Sequence, residues 1–254
     1  LSGAAEAVWE AVKPTLPGFT VEVLPEIDSS NSELMRRARS GQHEATLLVA
    51  ERQTAGRGRQ GRVWQSQAGD SLTFSISLAL RPQDWSGLSL AVGLSLAESL
   101  HPDVRLKWPN DLWRLQQKLG GILIEAASQG SESYVVVGVG LNVRKPSAND
   151  LRTPATGIES FWEEATAPLV LERVAAPLIR MLLEFKSQGF APLQQRFSQR
   201  DAILGQVIGT SDGLQGVCQG VDADGVLQID TTQGRVKINS AEVSVRPVNT
   251  IQGA

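Results

Sequence analysis

The feature that most constrains this chain is a loop at residues 53–64 (QTAGRGRQGRVW), in which three arginines are interspersed with three glycines. Glycine lets a backbone approach a ligand closely and adopt positive φ angles, while arginine presents a fixed fork of donors that fits carboxylate or phosphate. Apolar runs at residues 45–50 and 72–80 flank the loop and are typical of strands. We therefore predict a strand–loop–strand unit whose loop closes around an anion.

Two other interpretations of this loop have to be weighed. Residues 56–61 fit the G-x-G-x-x-G pattern of dinucleotide-binding folds, which requires a helix to begin at the glycines and to pack on a sheet. Here the next ordered stretch, residues 72–78, alternates apolar and polar side chains as a half-buried strand does, which argues against that pattern. A solvated basic hairpin tip stays open, although it explains the arginines and not the regular glycines.

Composition limits the function classes. The chain has 254 residues, of which 41% are hydrophobic and 20% charged, values typical of a globular protein with a sizeable core. Its net charge of -3 and pI near 5.5 argue against a nucleic-acid-binding protein that relies on a basic surface. The single cysteine, Cys218, excludes an internal disulfide and a cysteine-based metal cluster. The two histidines, His43 and His101, are not spaced as zinc ligands.

The sequence also predicts a compartment. No apolar run approaches the ~20 residues that a membrane-spanning helix needs. The first residues lack the charged start and the apolar stretch of a signal peptide. We therefore expect a cytoplasmic protein that does not enter a membrane.

Apolar periodicity predicts a mixture of helices and strands over the first 200 residues, an α+β pattern. The predicted helices are 4–13, 30–39, 86–100 and a stripe over 171–185; the predicted strands are 19–23, 45–50, 72–80, 104–107, 121–126 and 134–143. Capping boxes are expected at Ser30 with Glu33 and at residues 156–159. The polar segment 144–155, which contains two prolines, is predicted to be a mobile loop.

The character of the sequence changes near residue 201. From there on, short apolar runs at 205–208, 217–221, 226–229, 236–238 and 243–245 are separated by glycine turns. This pattern predicts a small all-β module with the topology of a barrel. We therefore divide the chain into a domain at 1–200 and a module at 201–254.

Three further segments carry polar side chains at predicted strand ends or turns. Asp111 follows a Trp-Pro turn and has the chemistry to hold a magnesium–nucleotide complex, whereas a solvated Asn-Asp turn is the simpler alternative. Lys118 precedes two glycines that let a ligand lie against the strand, although charged residues at strand entrances are common. Asn142 ends a strand, where it either contacts a base or stabilises a turn.

Taken together, these segments resemble biotin protein ligases. The shared motifs are GRGRQGRVW at 56–64, KWPND at 107–111, KLGGILIE at 118–125 and GVGLNV at 138–143, with DSSN at 28–31 and Gln53 in agreement. The resemblance covers roughly residues 20–248. It implies a mixed β-sheet with flanking helices followed by a small SH3-like β-barrel, which agrees with the change of character near residue 201.

The resemblance implies a two-step reaction. The carboxylate of biotin attacks the α-phosphate of MgATP, giving biotinyl-5′-AMP and pyrophosphate, and a lysine of the biotin carboxyl carrier protein of acetyl-CoA carboxylase then displaces AMP. A carboxylate and a triphosphate repel each other, so the site has to supply positive charge before they meet. The adenylate hydrolyses in water, and a glycine-rich loop suits a lid over it.

The resemblance also assigns roles to residues of this chain. Arg59 and Lys118 match the main catalytic charges, and Asp111 matches the magnesium-linked position. The expected biotin-binding residues are Ser29, Ser30, Asn31, Gln53, Arg57, Gly58, Arg59 and Lys118. The expected ATP-binding residues are Arg57, Arg59, Arg62, Trp64, Lys107, Asn110 and Asn142.

Some points depart from the family or stay open. The loop at 144–156 lacks the tryptophan that often covers adenine in this family, and Trp162 lies further along the chain. Because few residues precede the matched region, we expect an enzyme-only form that does not bind DNA. A monomer and a side-by-side homodimer are both compatible with the sequence. Lipoate–protein ligase and an adenylate-binding sensor without transfer are the alternative functions.

Overall fold

A seven-stranded mixed sheet and a five-stranded antiparallel sheet organise the chain. The computed structural model describes residues 1–80, 82, 84–129, 132–147, 153–239 and 245–248. The helices are α1 (Ser2–Val12), α2 (Ser30–Arg39), α3 (Leu88–Leu100), α4 (Ala167–Gln188) and α5 (Gln194–Ser198). The strands of the first sheet are β1 (Thr20–Ile27), β2 (Thr46–Gln53), β3 (Ser71–Ala79), β4 (Arg105–Lys107), β5 (Asp111–Arg114), β6 (Gln117–Gln129) and β7 (Glu132–Asn142).

The first sheet has the strand order β1-β2-β3-β7-β6-β5-β4, in which β1 and β2 are parallel and the other neighbours antiparallel. Its two faces are covered by different helices. On β2, Leu47 belongs to the large core and Leu48 packs in a smaller cluster with Leu34 of α2, as expected when successive side chains point to opposite faces. Each of these leucines is fully buried and contributes about 1.5–3 kcal/mol by leaving water. The mixed sheet with flanking helices confirms the predicted fold class.

Both predicted capping boxes are wrong in detail. Helix α2 is capped by Ser29, whose Oγ accepts a hydrogen bond from the backbone N–H of Ser32 at 3.3 Å, so the cap lies one residue before Ser30. Glu33 does not reach back to the cap, because its carboxylate pairs with Arg36 and Arg37 on the same helix.

The second predicted box, at residues 156–159, opens only a single 3₁₀ turn at Ile158–Ser160, and the next helix, α4, begins at Ala167. Glu159 instead accepts a hydrogen bond from the backbone N–H of Lys145 at 2.8 Å. This contact ties the turn to the segment that follows β7, where a Cβ on Gly157 would lie 2.5 Å from the carbonyl carbon of Arg144. Tertiary packing therefore overrides the local capping signal.

Strand β5 is an addition to the predicted elements, because the sequence predicts only a turn up to Asp111 and no element at residues 112–114. It pairs with β4 on one side and β6 on the other. The hairpin to β6 turns through Leu115 and Gln116, whose φ angles are 47° and 60°. Such turns normally carry Asn or Gly, so the sequence held no signal for this hairpin. The Trp108–Pro109 peptide bond is cis.

The C-terminal module consists of β8 (Val207–Thr210), β9 (Gln215–Val221), β10 (Leu227–Thr231), β11 (Gly234–Ile238) and β12 (Val245–Pro247). These strands form an antiparallel sheet in the order β11-β10-β9-β8-β12, without closure into a barrel among the described residues. The predicted strand 243–245 and the predicted mobile loop 144–155 fall partly outside those residues, at 243–244 and 148–152. The domain boundary at residue 201 stays a prediction.

The module is fastened to the first sheet at the Trp-Pro turn. The indole Nε1 of Trp108, which is 1% exposed, donates a hydrogen bond to the carbonyl oxygen of Gly225 at 3.1 Å. Gly225 has φ 78°, and a Cβ there would lie 2.8 Å from the Cα of Gly87 at the start of α3. Glycine is therefore required on both conformational and steric grounds. Among the residues that the structure describes, no helix combines the length and hydrophobicity that a bilayer crossing needs.

Asp201, where the chain passes from the first sheet to the module, predicts a pH dependence of stability. Its Oδ2 is buried without a hydrogen-bond partner in the described part of the chain, and burial raises the pKa of this carboxyl from 3.8 to about 6. A raised folded-state pKa means that the folded state holds the proton more tightly, so stability is highest below the unfolded pKa. We expect the free energy of unfolding to fall as pH rises from about 4 to about 6, by on the order of 2 kcal/mol.

Urea unfolding of the wild type and of Asp201→Asn at pH 4 and pH 7.5 measures this contribution. Asparagine stays neutral at both pH values. The difference in unfolding free energy between the variant and the wild type should therefore shift in favour of the variant on going from pH 4 to pH 7.5. An equal difference at both pH values would show that Asp201 is not the group responsible.

Candidate functional site

The arginine–glycine loop is a folded-over connection between the antiparallel neighbours β2 and β3, as the strand–loop–strand prediction requires. The backbone N–H of Trp64 donates to Gly56 O at 2.9 Å, and that of Gly58 donates to Arg62 O at 2.7 Å. A Cβ on Gly56 would lie 2.4 Å from the carbonyl oxygen of Trp64. The glycine spacing therefore lets the two arms of the loop meet, while the arginine side chains leave it in different directions.

A buried polar cluster lies where α2 begins over the sheet. Gln53 Oε1 accepts a hydrogen bond from the backbone N–H of Ser30 at 2.7 Å. The hydroxyl oxygens of Ser30 and Ser75 are 2.7 Å apart, and Ser75 donates to Asn31 Oδ1 at 2.6 Å. Ser29, Ser30, Asn31 and Ser75 are all at most 3% exposed. Of the predicted biotin-binding residues of this region, Ser30, Asn31 and Gln53 are thus linked in one network through Ser75, while the adjacent Ser29 caps α2.

Arg57 points from the loop to this cluster. Its Nη2 forms an ion pair with Oε2 of Glu125 on β6, and the same oxygen accepts a hydrogen bond from Asn31 Nδ2 at 3.0 Å. Charge-assisted hydrogen bonds of this kind are roughly twice as strong as neutral ones. The loop is therefore attached to the sheet through Glu125.

A second cluster, rich in positive charge, lies around Asp111. Its Oδ1 is 2.8 Å from Lys118 Nζ, and its Oδ2 is 3.8 Å from Lys107 Nζ. Arg59 Nη1 lies 3.5 Å from Asn110 Oδ1, so the loop reaches this cluster as well. The residues meet because β5 and β6 are paired, with Asp111 opposite Gly121 and Trp113 opposite Lys118.

Burial in this cluster disfavours the charged forms of two cations. Desolvation lowers the pKa of Lys107, with further lowering from Lys118, Arg62 and Arg246, while Asp111 acts in the opposite direction. Desolvation also lowers the pKa of Arg59, again opposed by Asp111. Positive groups held in a partly dry site attract an anion strongly, because its binding relieves their mutual repulsion.

Glycines of β7 make room for the side chains between the two clusters. A Cβ on Gly140 would lie 2.4 Å from Cε2 of the Trp64 ring, so the indole lies directly on the strand backbone. The Nε1 of Trp64 is buried and has no hydrogen-bond partner among the residues that the structure describes. Asn142 donates from Nδ2 to Lys118 O at 3.3 Å and to Thr156 O at 3.1 Å, which fixes the backbone that carries Lys118.

The structure thus groups the predicted site residues in two clusters that the loop joins. Around α2 lie Ser29, Ser30, Asn31, Gln53 and Arg57; around Asp111 lie Arg59, Lys107, Asn110 and Lys118, with Asn142 behind Lys118. Arg62 stays in the loop, where its Nη2 donates to Gln60 Oε1 at 3.1 Å. The proposed ligand roles of all these residues stay predictions.

Sequence reasoning missed two members of the network, Ser75 and Glu125. The sequence held a signal for Glu125, whereas the burial of Ser75 shows only in the structure. Glu125 is a charged residue in the middle of the long strand β6, and Ser75 is a polar position on β3 that is 0% exposed. A buried polar side chain has to find a partner, which marks such positions as sites of a network.

Family models match both parts of the chain. Residues 23–142 match the biotin/lipoate A/B protein ligase family, and residues 206–246 match the C-terminal domain of biotin protein ligases. The fold and the loop-covered cationic site therefore define the class of biotin and lipoate protein ligases.

Individual relatives narrow this class. The chain is 34% identical to the bifunctional ligase/repressor BirA of Escherichia coli, over 89% of this chain and 76% of the relative. It is 33% identical to the biotin–[acetyl-CoA-carboxylase] ligase of Paracoccus denitrificans, over 87% of this chain and 98% of the relative. The structure of the biotin protein ligase from Aquifex aeolicus in complex with biotin and ATP is similar with a TM-score of 0.77 at 30% identity, covering 90% of this chain and 99% of that one. The chain belongs to the biotin protein ligase family.

Proposed function

We propose that this chain activates biotin with ATP to biotinyl-5′-AMP and transfers the biotinyl group to a lysine of a biotin carboxyl carrier protein. The observation that carries the proposal is the set of cations gathered around one carboxylate, Asp111, under a glycine-rich loop. Such a site offsets the repulsion between a carboxylate and a triphosphate, which is the main obstacle to adenylation. The carrier protein is that of acetyl-CoA carboxylase, and we place the reaction in the cytoplasm.

In the first step, a carboxylate oxygen of biotin attacks the α-phosphorus of ATP and the bond to the bridging oxygen of pyrophosphate breaks. Lys118 and Arg59 stabilise the negative charge that accumulates between the two substrates. In the second step, the lysine amine of the carrier attacks the acyl carbon of the mixed anhydride, loses a proton and expels AMP. Alignment of the two substrates supplies much of the remaining rate enhancement.

Mg²⁺ fits this site as an ion that ATP brings with it. Nucleotide-bound Mg²⁺ typically uses one or two protein carboxylates in addition to phosphate oxygens and waters, and Asp111 supplies one. No group of three or more His, Cys, Asp or Glu that could hold a metal occurs among the described residues. When bound, Mg²⁺ adds positive charge at the phosphates. Lys107, Lys118 and Asn110 then hold Asp111 and the loop in place.

The experiment that tests this function is ATP–pyrophosphate exchange with purified protein, with and without biotin, and with lipoate as the matched control. We expect exchange that depends on biotin and is absent with lipoate, because the loop and the Trp-Pro turn match the biotin family. Exchange with lipoate but not with biotin would show that lipoate, the other ligand of this class, is the substrate. A folded protein that binds biotin and ATP without exchange would be a sensor.

A further inference from the structure

The polar cluster under α2 is a continuous chain of hydrogen bonds that starts and ends on the same loop. It leaves the base of the loop and returns to it four residues later, through Gln53, Ser30, Ser75, Asn31, Glu125 and Arg57. The backbone N–H of Ser30 donates to Gln53 Oε1 at 2.7 Å, and the Ser30 hydroxyl, 3.1 Å from the same oxygen, has a choice of acceptors. Because Ser75 donates its one hydroxyl proton to Asn31, the 2.7 Å contact between the two hydroxyls is a hydrogen bond only when Ser30 donates it. The chain therefore has a single direction from Ser30 to the Glu125 carboxylate.

The residues around this chain of hydrogen bonds leave room for its polar groups and give them partners. Asn31 uses both ends of its amide, since Nδ2 donates to Leu123 O at 3.2 Å as well as to Glu125, and Oδ1 accepts from Ser75. A Cβ on Gly138 of β7 would lie 2.2 Å from Asn31 Oδ1, so the strand leaves space for this amide. An unsatisfied buried group costs about 1–3 kcal/mol, so loss of one partner disturbs the rest.

Glu125 is the point where this interior chain meets the loop. Its carboxylate is one-quarter exposed and Arg57 is nearly half exposed, so the ion pair lies at the boundary between the network and solvent. One oxygen, Oε2, accepts from both Arg57 and Asn31. Strand β6, which lies across the sheet from the loop, consequently sets the position of Arg57. It thereby also sets the path of Gly58 and Arg59 towards the cationic cluster.

We propose that Glu125 is a positioning residue that couples the closed arrangement of the arginine loop to the polar seat formed by Ser30, Asn31 and Gln53. Glu125 acts through Arg57 on one side and through Asn31 on the other, without contact to the reacting atoms. The role of Glu125 in the reaction rests on the proposed function. The structural coupling between the loop and the polar seat can be tested without any substrate.

The substrate-free test is limited proteolysis with trypsin, which cuts after the loop arginines once the loop opens. Glu125→Ala should accelerate cleavage within residues 57–62 by about tenfold, the size expected when a charge-assisted hydrogen bond is lost. Glu26→Ala is the matched control, because Glu26 forms an exposed cross-strand ion pair with Arg52 in the same sheet, at 2.8 Å. Equal cleavage rates in Glu125→Ala, the control and the wild type would overturn the coupling, whatever the catalytic activity.

The reaction provides the second test. In biotin-dependent exchange, Glu125→Ala should raise the KM for biotin about tenfold and release more biotinyl-adenylate into solution, while the KM for ATP changes little. The effects of Arg57→Ala and Glu125→Ala on adenylate release should not add in the double variant, since both break one connection. Full additivity would contradict action through Arg57. Wild-type protein without exchange would defeat the proposed function but leave the proteolysis result standing.

Glu125→Gln covers the case in which the alanine variant fails to fold. Glutamine keeps an acceptor for Asn31 and removes the negative charge opposite Arg57. We expect faster loop cleavage than in the wild type and a smaller change in the KM for biotin than alanine causes. Cleavage and KM values equal to those of the wild type would show that the charge of Glu125 does not hold the loop.

Discussion

Lys118→Ala should slow biotin-dependent ATP–pyrophosphate exchange by about a hundredfold, comparable to the removal of one preorganised charge donor from an active site. Lys118 Nζ lies 2.8 Å from Asp111 Oδ1, and its backbone is held by Pro154 and Asn142. Its loss removes a cation from the place where the carboxylate and the α-phosphate have to meet. It also leaves Asp111 with less neutralising charge, so that the site repels the anionic substrates.

The matched control for this variant is Lys13→Ala, because Lys13 lies over the Trp9 ring at the end of α1 and not in the cationic cluster. Its exchange rate should equal that of the wild type. A circular dichroism melt of Lys118→Ala separates lost chemistry from lost folding. Normal pyrophosphate exchange in a folded Lys118→Ala protein would remove Lys118 from the catalytic set.

Arg59→Ala should release biotinyl-adenylate into solution at least about tenfold faster than the wild type, since a lid that excludes water protects a reactive intermediate. The guanidinium is the contact through which the loop reaches Asn110, at 3.5 Å, and Asp111 attracts it electrostatically. Without this side chain, the loop loses its attachment to the cationic cluster while the Arg57–Glu125 contact remains. Adenylate formation should slow as well, because one positive charge is missing.

Quenched-flow separation of bound and free adenylate measures this loss, with Arg52→Ala as control. Arg52 lies on β2, the strand that enters the loop, and forms an exposed ion pair with Glu26 of β1. Its removal should therefore keep the loop intact. Unchanged retention of the intermediate by Arg59→Ala would contradict the role of Arg59 in the lid.

Local patterns predicted most elements but not those that depend on distant contacts. The apolar stripe over 171–185 correctly indicates α4, because burial on one face imposes that period. The alternation at residues 72–78 correctly indicates the strand β3 but wrongly indicates a half-buried one, because Thr73 and Ser75 are buried on the second face under α2 and the loop. The hairpin between β5 and β6 has no such signal, since Leu115 and Gln116 adopt positive φ under the constraint of strand pairing. The capping pattern at residues 156–159 fails for a related reason, as Glu159 is bound by Lys145 instead.

The candidate site likewise has features that the sequence predicts and features that only the structure reveals. The loop motif, the Trp-Pro turn and the strand that follows Lys118 predict which charges the protein supplies. They do not reveal that Lys118 and Lys107 both pair with Asp111, or that the amide of Asn142 is bound to the Lys118 backbone. Whether Asn142 also contacts a nucleotide stays a prediction, which its remaining Oδ1 acceptor permits.

By itself, the sequence determined the chemistry of this protein: a glycine-rich loop with three arginines, a lysine before paired glycines and a family resemblance that follows from their order. These are properties of residue type and local spacing, and they hold before any contact forms. Only the tertiary structure decided how the loop is fastened, with Arg57 on Glu125 and Arg59 beside Asn110. The partners lie 68 and 51 residues apart in the chain, and it is the pairing of β6 with β5 and β7 that brings them to the loop.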